Sequence, residues 1–188
     1  VRSGNWAGWH PVEMLGQHVS GKTVGILGMG RIGQAIARRC HFGFGMSVAY
    51  HSRSDKDLPF PAQRLGSARE LAGAVDVLVI AVPGGANTRH MVNAEVIAAM
   101  RRTAHIVNIS RGDVIDETAL IAALSEQRIG GAGLDVYENE PDVPEGLRAL
   151  SNVTLLPHLG TAALEVREDM GRMAVNNLRA FFAERRGD

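Results

Sequence analysis

The residues best suited to do chemistry lie in the second half of the chain. Arg111 stands in Asn108-Ile109-Ser110-Arg111-Gly112-Asp113, just after an apolar run and just before a glycine that permits close approach. A guanidinium so placed can clamp a substrate carboxylate through two parallel hydrogen bonds. The competing reading pairs it with Asp113 or Asp116. Further on, the carboxylates of Leu134-Asp135-Val136-Tyr137-Glu138-Asn139-Glu140-Pro141 make either a solvated turn or a catalytic partner. Leu156-Pro157-His158-Leu159-Gly160-Thr161 then sets a histidine between a proline and a glycine. A lone histidine is usually structural, but one at the end of a strand that faces ligand is a candidate general acid or base.

A second kind of chemistry is written in backbone. Residues 23–33 read Thr-Val-Gly-Ile-Leu-Gly-Met-Gly-Arg-Ile-Gly, an apolar run that breaks into glycine and resumes with helical periodicity at Ile32, Ala35, Ile36 and Ala37. The spacing is G-x-G-x-x-G. Gly28, Gly30 and Gly33 fit the three glycine roles of a dinucleotide site: a sharp turn, open approach for a pyrophosphate, and tight packing of helix on strand. By itself such a motif also describes a turn that binds nothing; the strand before it and the helix after it favour dinucleotide binding.

The next strand end bears on the choice of cofactor. A ribose 2′-hydroxyl is usually held by an acid about 20 residues past the glycines, whereas a 2′-phosphate requires a cation there. The chain has Tyr50-His51-Ser52-Arg53-Ser54-Asp55, with no acid at the tip. Arg53 can fork onto a phosphate while Ser52 and Ser54 donate hydrogen bonds, which favours NADP(H), with NAD(H) as the other possibility. The alternative is a solvated Arg53 with Asp55 as a displaced ribose ligand.

These residues need a scaffold that brings strand ends together. Apolar runs predict strands over 23–27, 46–50, 77–81, 105–109, 131–136 and 153–156, and helices from the glycine turn to about 43, then over 68–74, 93–100, 117–127 and 165–184. Pro59 and Pro61 mark a loop. Strands alternating with helices predict an α/β fold, a Rossmann-type doubly wound parallel sheet with helices on both faces and ligands at the carboxyl ends of the strands. Trp6 and Trp9 lie outside this pattern, ahead of Pro11 and a short helix expected to end near Gly16. They either staple onto the domain's own core or form an oligomer contact.

Composition narrows the classes. A length of 188 residues suits one domain, with no repeat or linker to divide it. Lys plus Arg equals Asp plus Glu at 20 each, without a basic run, which argues against a nucleic-acid surface. A single cysteine, Cys40, fits a reducing, cytoplasmic setting, and the scattered histidines give no metal-ligand spacing. The apolar stretch 77–82 is far shorter than the roughly 18 residues of a membrane span, so no membrane partner is expected.

Taken together, Gly28-x-Gly30-x-x-Gly33, Asn108-x-x-Arg111-Gly112 through Asp116-Glu117, Leu134-Asp135-Val136 with Glu140-Pro141, and Pro157-His158-x-Gly160 resemble the successive signatures of the D-isomer-specific 2-hydroxyacid dehydrogenases. Within that family the Trp6 to Trp9 region, Tyr50-His51-Ser52-Arg53 and Pro157-His158-Leu159-Gly160-Thr161 are most similar to glyoxylate/hydroxypyruvate reductases. Formate dehydrogenases of the same superfamily carry glutamine where Glu140 stands. The resemblance implies that Arg111 binds a substrate carboxylate and orients its carbonyl, that His158 protonates the carbonyl oxygen as hydride arrives, and that Glu140 holds the imidazolium. A neighbouring carboxylate favours that protonated ring. Asp135 resembles the aspartate that meets the nicotinamide carboxamide. Cofactor contacts are further expected from Met29, Arg31 and Ile32 in the glycine turn, from Val82, Pro83 and Thr88, from Ile109 and Ser110, and from His158 and Gly160. A homodimer is implied as well.

The loop Val82-Pro83-Gly84-Gly85-Ala86-Asn87-Thr88 departs from the family, which often has bulkier residues than Gly84 and Gly85. Family members also carry a substrate domain ahead of the region corresponding to Val1, and the helix over 165–184 resembles the one that returns to it. Residues 1–188 are therefore expected to bind cofactor while being weakly active or inactive alone. Corepressors share the fold, so a nucleotide-sensing interaction protein is the rival class, and a phosphoglycerate-type dehydrogenase is the rival within the family.

Overall fold

The computed structural model describes residues 1–184. Its centre is a seven-stranded, wholly parallel sheet in the order β3-β2-β1-β4-β5-β6-β7. The strands are β1 (Thr23–Leu27), β2 (Ser47–His51), β3 (Ala62–Arg64), β4 (Val77–Ile80), β5 (His105–Asn108), β6 (Gly131–Leu134) and β7 (Val153–Leu155). The helices are α1 (Arg31–Phe44), α2 (Ala68–Ala74), α3 (Ala94–Ala98), α4 (Glu117–Ser125), α5 (Glu145–Arg148) and α6 (Leu164–Glu184). This is the doubly wound arrangement expected, and the order reverses between β1 and β4, where such sheets open a crevice.

Side-chain alternation explains why both faces are covered. Val24 and Ile26 of β1 join Val48, Tyr50 and Val79 against Ala37 of α1. Leu27, Leu78, Ile80 and Ile106 turn the other way, onto Leu71 of α2, Ile97 of α3 and Leu120 of α4. Successive residues of a strand point to opposite faces, so strands buried on both read as unbroken apolar runs. That continuity made them visible in the sequence.

Some elements differ from expectation. The loop around Pro59 and Pro61 leads into β3, an edge strand too short and too polar to show a pattern. The helix before Gly16 does not form: residues 1–22 run as turns and irregular chain tied to the body by Gln17 Nε2 donating to the Thr103 carbonyl (3.0 Å). Trp6 and Trp9 are 56% and 83% exposed, so they do not staple onto the domain's own core. A short helix with no apolar surface to pack on lacks the tertiary support that stabilises helices of this length. α6 likewise buries none of its residues. No helix among the described residues is long and apolar enough to cross a membrane.

Candidate active site

The glycine turn sits where the sheet order reverses. Gly28, at φ +101°, would place a Cβ only 2.7 Å from Val82 N and 2.8 Å from the Ala81 carbonyl, so the turns after β1 and β4 touch through a bare backbone. A Cβ at Gly33 would stand 2.1 Å from the Gly28 oxygen, which fixes Gly33 as the contact of helix on turn. Around Gly30 a Cβ would meet nothing within 4 Å. Ser67, Asn93 and Asp116 each accept a backbone N–H at the start of α2, α3 and α4, whereas α1 has no side-chain cap and no acid in its first turn. An N-terminus left with bare N–H groups, opening onto free space through Gly30, suits an anion. The residues present fit a dinucleotide pyrophosphate.

Not every residue of the motif faces that space. Met29 is buried in the core, and the Gly28 N–H donates to the His51 carbonyl (2.9 Å), a sheet contact that leaves nothing for phosphate. Gly30, Arg31 and Ile32 remain as the lining of a cleft of about 1480 Å³ that continues past Val82, Pro83, Ile109 and Ser110 to Arg111, Glu140 and His158. Thr88 acts as a brace, its hydroxyl donating to the carbonyls of Pro83 (2.7 Å) and Gly85 (3.1 Å).

At the tip of β2, Arg53 is exposed and its side chain makes no hydrogen bond or ion pair among the described residues. Ser52 does not point its proton outward, because its hydroxyl donates to the Ser54 carbonyl, and Ser54 Oγ accepts from Lys56 Nζ (3.1 Å). Asp55 is exposed, with its Oδ1 paired to Arg64 Nη1 (3.2 Å).

On the far half of the sheet the groups are side chains held by backbone. Among the described residues Arg111 has no carboxylate within ion-pair distance, and Asp116 caps α4 through Ala119 N instead. Arg111 Nη1 donates to the carbonyl of its neighbour Ser110 (2.6 Å). Gly84 makes room for it, since a Cβ there would stand 2.6 Å from Arg111 Cγ. Gly112 packs still closer, with a Cβ position 1.8 Å from the Tyr137 carbonyl carbon. The two glycines of the departing loop therefore have unequal meanings: Gly84 shapes the seat of Arg111, while Gly85 only turns the chain at φ +128°.

His158 Nδ1 lies 2.9 Å from Glu140 Oε2. The histidine hydrogen bond, helped by the Tyr137 N–H and the charge of Arg111, holds the Glu140 carboxyl below its ordinary range against the opposing effect of burial. His158 adopts φ +55°, a conformation unusual outside glycine. The cause is nearby: both oxygens of buried Asp135 accept from the next two residues, Leu159 N at 2.6 Å and Gly160 N at 2.9 Å. Asp135, expected at the nicotinamide, is thus first the clamp that fixes the histidine turn. A parallel bracket holds the other acid of the run. Glu138 Oε1 accepts from Arg89 (2.7 Å) and His90 (3.0 Å), and its N–H donates to Glu117 (2.8 Å), whose carboxyl is pushed up by burial. Sequence spacing could not reveal Arg89, His90 or Glu117 here, because their partner is 21 to 49 residues away.

Comparison with known proteins agrees with this geometry. Residues 1–160 match the family described as D-isomer specific 2-hydroxyacid dehydrogenase, NAD binding domain. The chain is 48% identical over 189 residues to a glyoxylate reductase of Thermococcus kodakarensis, covering 96% of this chain and 56% of that one. It is 48% identical over 164 residues to a hydroxyphenylpyruvate reductase of Plectranthus scutellarioides, covering 87% of this chain and 52% of the relative. Among solved structures, an NADPH-dependent glyoxylate/hydroxypyruvate reductase from Sinorhizobium meliloti, in complex with NADP and malonate, superposes with a TM-score of 0.89 at 44% identity, over 96% of this chain and 56% of that one. The chain thus spans about half the length of the relatives it matches.

Proposed function

The chain belongs to the D-isomer specific 2-hydroxyacid dehydrogenase family, and from that premise we propose that residues 1–188 are the cofactor-binding domain of an NADP(H)-dependent reductase of small 2-oxo acids, with glyoxylate or hydroxypyruvate as substrate. The observation that carries the reading is one cleft lined at one end by the uncapped start of α1 and at the other by Arg111, Glu140 and His158. A reduced nicotinamide supplies the hydride when bound.

The chain's own residues account for the rest. Arg111 has a guanidinium with no ion-pair partner among the described residues, able to fork onto the substrate carboxylate and so orient the adjacent carbonyl. Glu140 occupies Nδ1 of His158, which leaves Nε2 to give a proton to the carbonyl oxygen; in the reverse direction the same atom takes the proton back. The negative carboxylate stabilises the imidazolium and fixes its ring. Asp135 keeps the turn in place, with Gly160 beside it. Arg53 is exposed for a ribose 2′-phosphate, consistent with the NADP held by the Sinorhizobium relative.

In this reading exposed Trp6, Trp9 and the uncovered apolar side of α6 meet a second copy, so sedimentation at micromolar concentration should show a dimer; a monomer would remove this part. The lone Cys40 suits a reducing, cytoplasmic location. The activity itself is tested by following NADPH absorbance with glyoxylate and with hydroxypyruvate, using these residues joined to the family's substrate domain. Oxidation dependent on both reactants supports the proposal, and none with either acid contradicts it.

A further inference from the structure

The loop that follows β2 is held by an arginine that lies outside both the glycine motif and the β2 tip. β3 pairs in parallel with β2, so that Arg64 stands in register with Tyr50 and projects beside the loop that follows β2. Its guanidinium donates from Nε (3.3 Å) and Nη2 (3.0 Å) to the Ser52 carbonyl, from Nη2 to the Arg53 carbonyl (3.3 Å), and from Nη1 to Asp55 Oδ1 (3.2 Å). One side chain therefore ties down three of four consecutive loop residues.

We propose that Arg64 is a positioning residue that sets preference for a ribose 2′-phosphate over a bare ribose 2′-hydroxyl, by fixing the loop over 52–55 and occupying its carboxylate. The inference rests on the NADP(H) reading above and names a second residue for it. Two effects follow from the geometry. With the carbonyls of Ser52 and Arg53 turned onto Arg64, the Arg53 side chain is left exposed and, among the described residues, unpaired. With Asp55 partnered by Arg64, the acid nearest the β2 tip competes less for the ribose diol and repels a dianionic phosphate less. The ion pair is solvent-exposed and screened, so the carbonyl clamp is the larger of the two effects. Arginine suits this place because its planar fork reaches two carbonyls and a carboxylate at once, which lysine cannot do.

The test is the ratio of NADH to NADPH dissociation constants, measured by calorimetry on the full chain and on Arg64→Gln and Arg64→Lys, with unfolding midpoints taken alongside. The unsubstituted chain should favour NADPH by roughly ten-fold or more. Arg64→Gln should cut that ratio about five-fold or more by weakening NADPH, with NADH changed by less than about two-fold, a phosphate-specific effect that general destabilisation would not give. Arg64→Lys should keep an intermediate ratio, and it carries the test if the glutamine variant does not fold. A preference in the unsubstituted chain that survives in the variants, or equal weakening of both cofactors, overturns the inference while leaving the cofactor reading intact. No preference in the unsubstituted chain overturns both.

Discussion

The two halves of the sheet build the proposed site by opposite means. On the β3-β2-β1 side the site is mostly backbone: a turn squeezed against Ala81 and Val82, an uncapped helix start, and a loop whose carbonyls are gathered by Arg64. On the β5-β6-β7 side it is side chain, with Arg111, Glu140 and His158 held by Gly84, Asp135 and the Tyr137 N–H. A backbone site is destroyed by adding atoms, and a side-chain site by removing them. If the proposed function holds, the contrast separates binding from chemistry, because each half can be damaged while the other is left whole.

The sharpest break lies on the chemical side. In a chain that also carries the substrate domain, His158→Ala should lower kcat by ~10²-fold or more, the usual scale of general acid–base catalysis, while NADPH affinity stays nearly unchanged. Steady-state kinetics with a parallel cofactor titration checks this. Unaltered kcat would remove His158 from the reaction, and lost NADPH affinity would blur the two halves into one.

On the binding side the expected effect is smaller. A charge-assisted pair contributes about 1.5–3 kcal/mol, so Arg53→Ala should reduce the NADPH-over-NADH preference by roughly ten-fold. Competition of the two cofactors measured in one titration series would show it. A ratio that does not move would mean Arg53 faces solvent.

Smallest is a control from the opposite end of the strands. Asp76 accepts from Thr23 N (2.9 Å) and from Arg101 Nη1 (2.9 Å), and the Thr23 hydrogen bond chiefly, with Arg101, holds its carboxyl below the ordinary range against desolvation. Because the folded-state value is depressed, the stabilisation is present above the unfolded carboxyl's pKa of about 3.9 and is lost as pH falls through the folded value. Asp76→Asn should therefore cost about 1–3 kcal/mol in denaturant unfolding at pH 7, with the difference from the unsubstituted chain shrinking in strong acid. Cofactor binding per folded molecule should be untouched. A change in the cofactor preference would show that the two ends of the sheet are coupled.

The same contrast governs how much could be read from the sequence. Glycine spacing encodes a backbone site directly, so the turn after β1 was legible, as were the long apolar strands and the helix Ala68–Ala74. Arg111, Glu140 and His158 were legible as types at strand ends, and the resemblance to a family assigned their partners. What escaped was held by distant contacts: Asp135 clamping a turn 24 and 25 residues away, or Arg64 reaching back 9 to 12 residues from a three-residue strand with no apolar pattern. The missing helix before Gly16 fails for the opposite reason. Its residues have local helical signals and no neighbouring surface to bury against.

The central claim is that the bare start of α1 is the dinucleotide site, and Gly30→Val tests it most directly. Gly30 has φ −80°, a conformation open to any residue, and a Cβ there touches nothing, so the variant should fold and fill only the space before the helix. Calorimetric titration of NADPH into residues 1–188 should show saturable one-to-one binding, and Gly30→Val should weaken it at least ~10²-fold with an unchanged unfolding midpoint. No binding to the unsubstituted chain, or equal binding to the variant, would contradict the account.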